Sequence, residues 1–149
     1  MAAKIPAPGY DWIQGEEMRL KPCLTSEDVA KMVAAAKQEA AKHGLLPTIA
    51  IVDTGGDLLF LERPDTNGVN TVEMATGKAR TAAFRERPSR ALEERVKERP
   101  GFLMTPNQIG VRGGIPLFYK DECVGGIGVS GIGNHDEPIA EAGAKAFND

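Results

Sequence analysis

Thr48-Ile49-Ala50-Ile51-Val52-Asp53-Thr54-Gly55-Gly56-Asp57-Leu58-Leu59-Phe60-Leu61-Glu62 is the stretch whose reading decides the fold. Two apolar runs, the first rich in β-branched residues, flank a Gly-Gly turn, which predicts two strands joined as a hairpin. Farther along, Ile115-Pro116-Leu117-Phe118-Tyr119, a turn at Lys120-Asp121-Glu122 and Val124-Gly125-Gly126-Ile127-Gly128-Val129-Ser130 predict a second hairpin. A fifth strand is expected around residues 102–109. Helices fill the remainder. Thr25-Ser26-Glu27-Asp28 matches a capping box, followed by the apolar stripe Val29, Met32, Val33, Ala36 and Ala40, with Gly44 as the stop. Asn70-Thr71-Val72-Glu73 reads as the cap of a second helix that runs to about Arg85. A short charged helix begins at Pro88-Ser89. The last helix starts near Asp136, tolerates Pro138 in its first turn, and buries Ile139, Ala140, Gly143, Ala146 and Phe147. Strands that arrive as hairpins pair antiparallel, so the order predicts an α+β layer: an antiparallel sheet of about five strands with helices packed on it.

The 149 residues suit one domain. With 42% hydrophobic and 26% charged residues, the chain has the composition of a folded globular protein. A net charge of −3, with Lys and Arg scattered among acidic residues, argues against a nucleic-acid partner. No stretch has the length of an apolar membrane span and the N-terminus has no signal-peptide core, so a cytoplasmic protein with no membrane partner is expected. Pro6, Pro8 and Gly9, ahead of Trp12, read as an irregular arm. Cys23 and Cys123 are too far apart for a metal pair and sit beside apolar residues, which predicts inert thiols. Two histidines, His43 and His135, are too few for a histidine-rich zinc site, and other metals stay open.

Three places carry candidate chemistry. Gly126-Ile127-Gly128-Val129-Ser130-Gly131 matches G-x-G-x-x-G, but the chain ends before the βαβ unit of a dinucleotide fold could close. These glycines instead mark a strand that another backbone or a ligand approaches closely. In the second helix, Ala75, Ala79, Ala82 and Ala83 predict a face pressed hard against its neighbour. An adjacent line of Met74, Lys78, Thr81 and Arg85 puts two cations and a hydroxyl along one stripe. That stripe reads either as a holder for a carboxylate or as a solvated face balanced by Glu73 and Glu86. The third place is Ser130 and Gly131 leading into Asn134-His135-Asp136-Glu137, a glycine turn before a helix N-terminus, which favours anions. His135 there is a candidate proton shuttle or metal ligand.

Ile49 to Asp53 with Gly55-Gly56, Ala75 with Lys78-Ala79 and Thr81-Ala82, Gly113-Gly114-Ile115-Pro116, Val124 to Gly131, and Asp136-Glu137 with Ile139-Ala140 and Ala142-Gly143 together resemble the GlcG/HbpS family. The resemblance spans nearly the whole chain from Leu24 and divides it into an extension, 1–23, and a domain, 24–149. It implies a profilin-like fold and assembly as a homo-oligomer, a dimer or higher. Some relatives bind haem, and the domain also occurs attached to corrinoid adenosyltransferases of the PduO type.

Two functions follow from that resemblance together with the residues above. One is an oligomeric binding protein for haem or another anionic tetrapyrrole, with Lys78, Thr81, Arg85, Ser130, Gly131 and Asp136 around the ligand. The middle of the first helix offers no histidine, which leaves His135, Met74 or Thr81 as iron ligands. The alternative is an isomerase, lyase or hydrolase of a small carboxylate or aromatic catabolite, with Lys/Arg anchoring the anion and His135 or Glu73 as acid and base.

Overall fold

The computed structural model describes residues 11–12 and 19–148. Helix α1, Ser26–Lys42, starts on the expected capping box: the Thr25 hydroxyl accepts from the Asp28 N–H, and the Asp28 carboxylate accepts from the Thr25 N–H at 2.8 Å. All five residues of its stripe are buried. Gly44 follows the helix at φ +67°, a left-handed conformation that glycine adopts without strain.

Before α1, two-residue strands β1, Asp11–Trp12, and β2, Arg19–Leu20, pair antiparallel. The arm read at Pro6, Pro8 and Gly9 lies outside the described residues.

Strands β3, Thr48–Asp53, and β4, Leu58–Glu62, form the first hairpin. Its turn is held by the Asp53 carboxylate, which accepts from the Gly55 and Asp57 N–H groups, with Gly56 at φ +82°. Strands β5, Gly114–Tyr119, and β6, Glu122–Ser130, form the second. The hairpins join through β3 and β6, giving an antiparallel sheet in the order β4-β3-β6-β5. This sheet has four strands. Residues 100–104, where the expected fifth would begin, form a 3-10 turn, Pro100–Met104, and the chain to Ile109 is loop. Pro100 and Pro106 withdraw two ladder donors from this segment, and Asn107 turns the chain at φ +57°.

Alternation gives the sheet two unlike faces. Ile49, Ile51, Ile127 and Val129 point to one side and pack with Met32, Val33 and Ala36 of α1 and Ile139, Ala140 and Ala144 of helix α4, Asp136–Asn148. The other side carries Ala50, Gly114, Gly126 and Gly128, and helix α2, Thr71–Arg85, lies on it. A Cβ on Gly128 would come within 2.0 Å of the Ala75 carbonyl oxygen, and one on Gly126 within 2.3 Å of that of Ala79. The partner that approaches the glycine strand is therefore the alanine face of this chain's own α2.

Two local expectations are corrected. Asn70 does not cap α2, since its backbone is already helical and its side chain makes no capping bond; instead the Thr71 hydroxyl donates to the Gly68 carbonyl. In α4, Ile139, Ala140 and Gly143 are buried, as is Ala144, whereas Ala146 and Phe147 are only partly covered. Helix α3, Arg90–Glu98, follows α2 and packs on the 3-10 turn.

Candidate functional site

The stripe on α2 does not behave as one site. Lys78 is 1% exposed, and its ammonium donates to the Asp136 carboxylate at 2.8 Å and to the Val129 carbonyl at 3.0 Å. The carboxylate that Lys78 holds is thus the protein's own, and the solvated-face reading fails for this residue. Asp136 also accepts from the Ile132 N–H, so the anion at the start of α4 is supplied by the first residue of the helix itself. Gly113, at φ +116°, keeps this junction open: a Cβ there would lie 3.1 Å from the ammonium.

Thr81 is fully buried. Its hydroxyl lies 2.8 Å from the Gly77 carbonyl and accepts from the Ile109 N–H at 2.7 Å, which pins the loop before β5 to α2. A hydroxyl so completely buried is out of reach of an iron centre at the surface. Ser130, 5% exposed, is the last residue of β6 and pairs with Thr48. The Asn67 side chain covers Gly131, where a Cβ would meet its amide nitrogen at 2.7 Å.

His135 is exposed and its ring stands 4.7 Å from that of His43, centroid to centroid, at the ends of two helices that pack together. Glu73 is exposed in the first turn of α2. Twelve residues of helix put it about 18 Å along the axis from Arg85. Among the described residues no group of three His, Cys, Asp or Glu side chains is placed to hold a metal ion. Cys123 is buried, which pushes its thiol pKa up, while Cys23 is exposed, so the expectation of burial fails there.

Arg85 is the candidate left facing a cavity. It is half-buried at the end of α2, and its Nε donates to the neutral Gln108 side chain. Its guanidinium carbon lies 5.6 Å from the centroid of the Phe102 ring, those of Arg95 from α3 and of Arg99 just after it at 4.6 and 5.3 Å. A hollow of about 350 Å³ is lined by Arg85, Arg87, Ala91, Leu92 and Arg95. A crevice of about 690 Å³ lies along the 3-10 turn, with Arg99, Phe102, Met104 and Pro106 on its walls. Met104 is 84% exposed and Leu103 66%, an unusual display of apolar surface beside cations. Arg95, Arg99, Phe102 and Met104 escaped sequence reasoning. The signal available was the clustering of Arg85, Arg87, Arg95 and Arg99 within fifteen residues ahead of Phe102.

A second hollow, about 640 Å³, lies between α1 and β4 with Leu24, Val29, Val33, Leu59 and Phe60 on its walls. Among the described residues, its walls offer an apolar surface and Lys37 but no histidine, cysteine, methionine or tyrosine.

The family model described as "Haem degrading protein HbpS-like" matches residues 24–145. Protein GlcG of Escherichia coli K12 is 34% identical over 114 residues, which cover 76% of this chain and 85% of that protein. The crystal structure of a double mutant of HbpS from Streptomyces reticuli superposes with a TM-score of 0.82 at 33% identity, covering 97% of each chain. The structure titled as a PduOC:heme complex superposes at 0.78 with 23% identity, over 85% of this chain and 96% of that one.

Proposed function

The chain belongs to the HbpS-like family, and from that premise we propose that it is a small-ligand-binding protein for haem or another anionic tetrapyrrole, acting in the cytoplasm as a homo-oligomer. The domain of residues 24–149 carries the ligand, and 1–23 is an extension to it. A family described by haem degradation and a neighbour of the same fold in complex with haem support the haem-related part of this reading.

The observation that carries it is the crevice beside Arg85. Haem requires an apolar wall, cations for its propionates and a soft or imidazole donor for iron. The 100–106 segment supplies Phe102 and Pro106 as wall and the Met104 thioether, with Arg99 lining the same crevice and the Arg85 guanidinium 5.6 Å from the Phe102 ring. Among the described residues, the hollow between α1 and β4 has no iron donor on its walls. Bound there, haem would supply an iron centre and two carboxylates. Arg85 would hold a propionate and Met104 would face the macrocycle; Met74, about 16 Å along α2 from Arg85, and His135, beside His43, line neither cavity. Lys78 and Asp136 neutralise each other inside the protein and would support the site only by fixing α2 on the sheet.

Assembly has a place to occur. Leu58, Leu59 and Leu61 are 37–45% exposed on β4, an edge strand with one side unpaired, and an edge of this kind favours a second copy.

Titration of haemin into the full chain, followed by absorbance, tests the proposal. A saturable Soret shift at one haem per chain or per pair of chains is expected. A spectrum that remains the sum of free haemin and protein would refute it.

The enzyme reading gains no comparable support. Its acid and base candidates, His135 and Glu73, are not gathered with Arg85, and Lys78 is already neutralised.

A further inference from the structure

Three guanidiniums share one aromatic ring at the end of α2. All lie within 5.6 Å of the Phe102 centroid, and so within about 11 Å of one another, close to the Debye length of about 8–10 Å at physiological salt. Their mutual repulsion is therefore only partly screened. No acid among the described residues neutralises them: the ion pairs there fall on Lys37, Lys42, His43, Lys78, Arg90, Lys97 and Arg112. Nearby acids are spent elsewhere, Glu93 on Arg112 and Glu94 on Lys97. Glu86 and Glu98 adjoin Arg85 and Arg99 in sequence, yet neither comes within the 4.0 Å of an ion pair. Arg87 adds a fourth cation to the adjoining hollow. In a chain of net charge −3, such a concentration of positive charge, without an acidic partner among the described residues, makes the surface around the cavity attractive to an anion.

Arginine suits that task because its planar fork grips a carboxylate through two parallel hydrogen bonds. Contact with Phe102 orients each fork; Arg85 spends its Nε–H on Gln108, which leaves its terminal Nη groups for a carboxylate. Arg85 and Arg95 line the smaller hollow and Arg99 the adjoining crevice, all around one ring, an arrangement matched by a ligand with more than one carboxylate. We infer that Arg85, Arg95 and Arg99, ordered on Phe102, form a clamp for two carboxylates of one ligand. The clamp selects a dicarboxylate planar molecule over its esterified or amidated counterpart. The inference rests on the haem-related reading above and assigns to Arg95, Arg99 and Phe102 a binding role that the sequence did not suggest.

The test compares haemin with haemin dimethyl ester, whose propionates are blocked, on the wild type and on the double variant Arg95→Gln/Arg99→Gln. Both arginines are exposed, and an unchanged melting curve verifies that the variant folds. Haemin should bind the wild type about tenfold or more tightly than the ester, and the double variant should lose about tenfold or more for haemin only, the scale of losing charge-assisted hydrogen bonds. The variant Phe102→Leu should give a smaller loss in the same direction. Equal affinity of wild type for haemin and ester, or haemin binding indifferent to the double variant, would overturn the clamp while leaving the haem reading intact. Failure of the wild type to bind haemin at all would overturn both.

Discussion

At Lys78 a residue placed for a ligand serves the fold. Its ammonium and the Asp136 carboxylate are 2% and 10% exposed at the side chain, so removing either leaves an uncompensated buried charge. Lys78→Ala should lower stability by about 3–5 kcal/mol, measured by denaturant unfolding, whereas replacing both partners by apolar residues of similar size should recover much of it. Any loss of ligand affinity in the single variant would then report a damaged fold. The sequence held the clue: Ala75, Lys78, Ala79 and Ala82 fall at i, i+3, i+4 and i+7, the repeat of one buried helix face. Charge hid it, because a lysine in that repeat is read as an outward residue until its carboxylate partner, 58 positions away, is known. Asp28 shows the opposite case, since its role was legible from a four-residue motif. Hydrogen bonds from the Thr25 backbone and hydroxyl hold its carboxyl below the ordinary range. A depressed folded-state pKa adds stability in full above the unfolded value, about 4, and loses it as pH falls through the folded value. The stability gap between wild type and Asp28→Ala should therefore be present at neutral pH and close under strong acid, as followed by thermal melts.

Helix α2 and strand β6 show what an element can and cannot announce. The alanines at 75, 79, 82 and 83 and the glycines at 126 and 128 were readable as close-approach surfaces, and each turns out to be the other's partner. Gly128→Ala should destabilise by about 1–3 kcal/mol or more, because its Cβ would meet a backbone carbonyl that cannot rotate away. Gly101→Ala, with open space around its Cβ, should change the denaturation midpoint little. Where periodicity fails is the segment from α3 to β5. Its strand expectation rested on a few apolar residues, and proline at 100 and 106 decided for a turn and loop. The clamp is equally hidden from periodicity: it joins the end of α2 to α3 and the turn beyond, and Thr81 ties the loop after that turn, at Ile109, back to α2.

Across the whole molecule, one sheet separates two kinds of packing. Aliphatic side chains fill the side of α1 and α4, while backbone contact without large side chains fills the side of α2. The close-packed side fixes α2 tightly, and its C-terminal end carries Arg85 into the hollow that it shares with Ala91, Leu92 and Arg95 of α3, next to the Phe102 ring of the crevice along residues 99–106. The glycine strand that first suggested a nucleotide site is thus the foundation on which the candidate site stands. The central claim is that this crevice binds a haem-related anion in an assembly of identical chains, and native mass spectrometry of the full chain mixed with haemin addresses ligand and assembly together. The account predicts oligomers carrying haem in fixed ratio to chains, with a matching Soret shift in the same sample. Monomers free of haem, with an absorbance equal to that of the separate components, would contradict it.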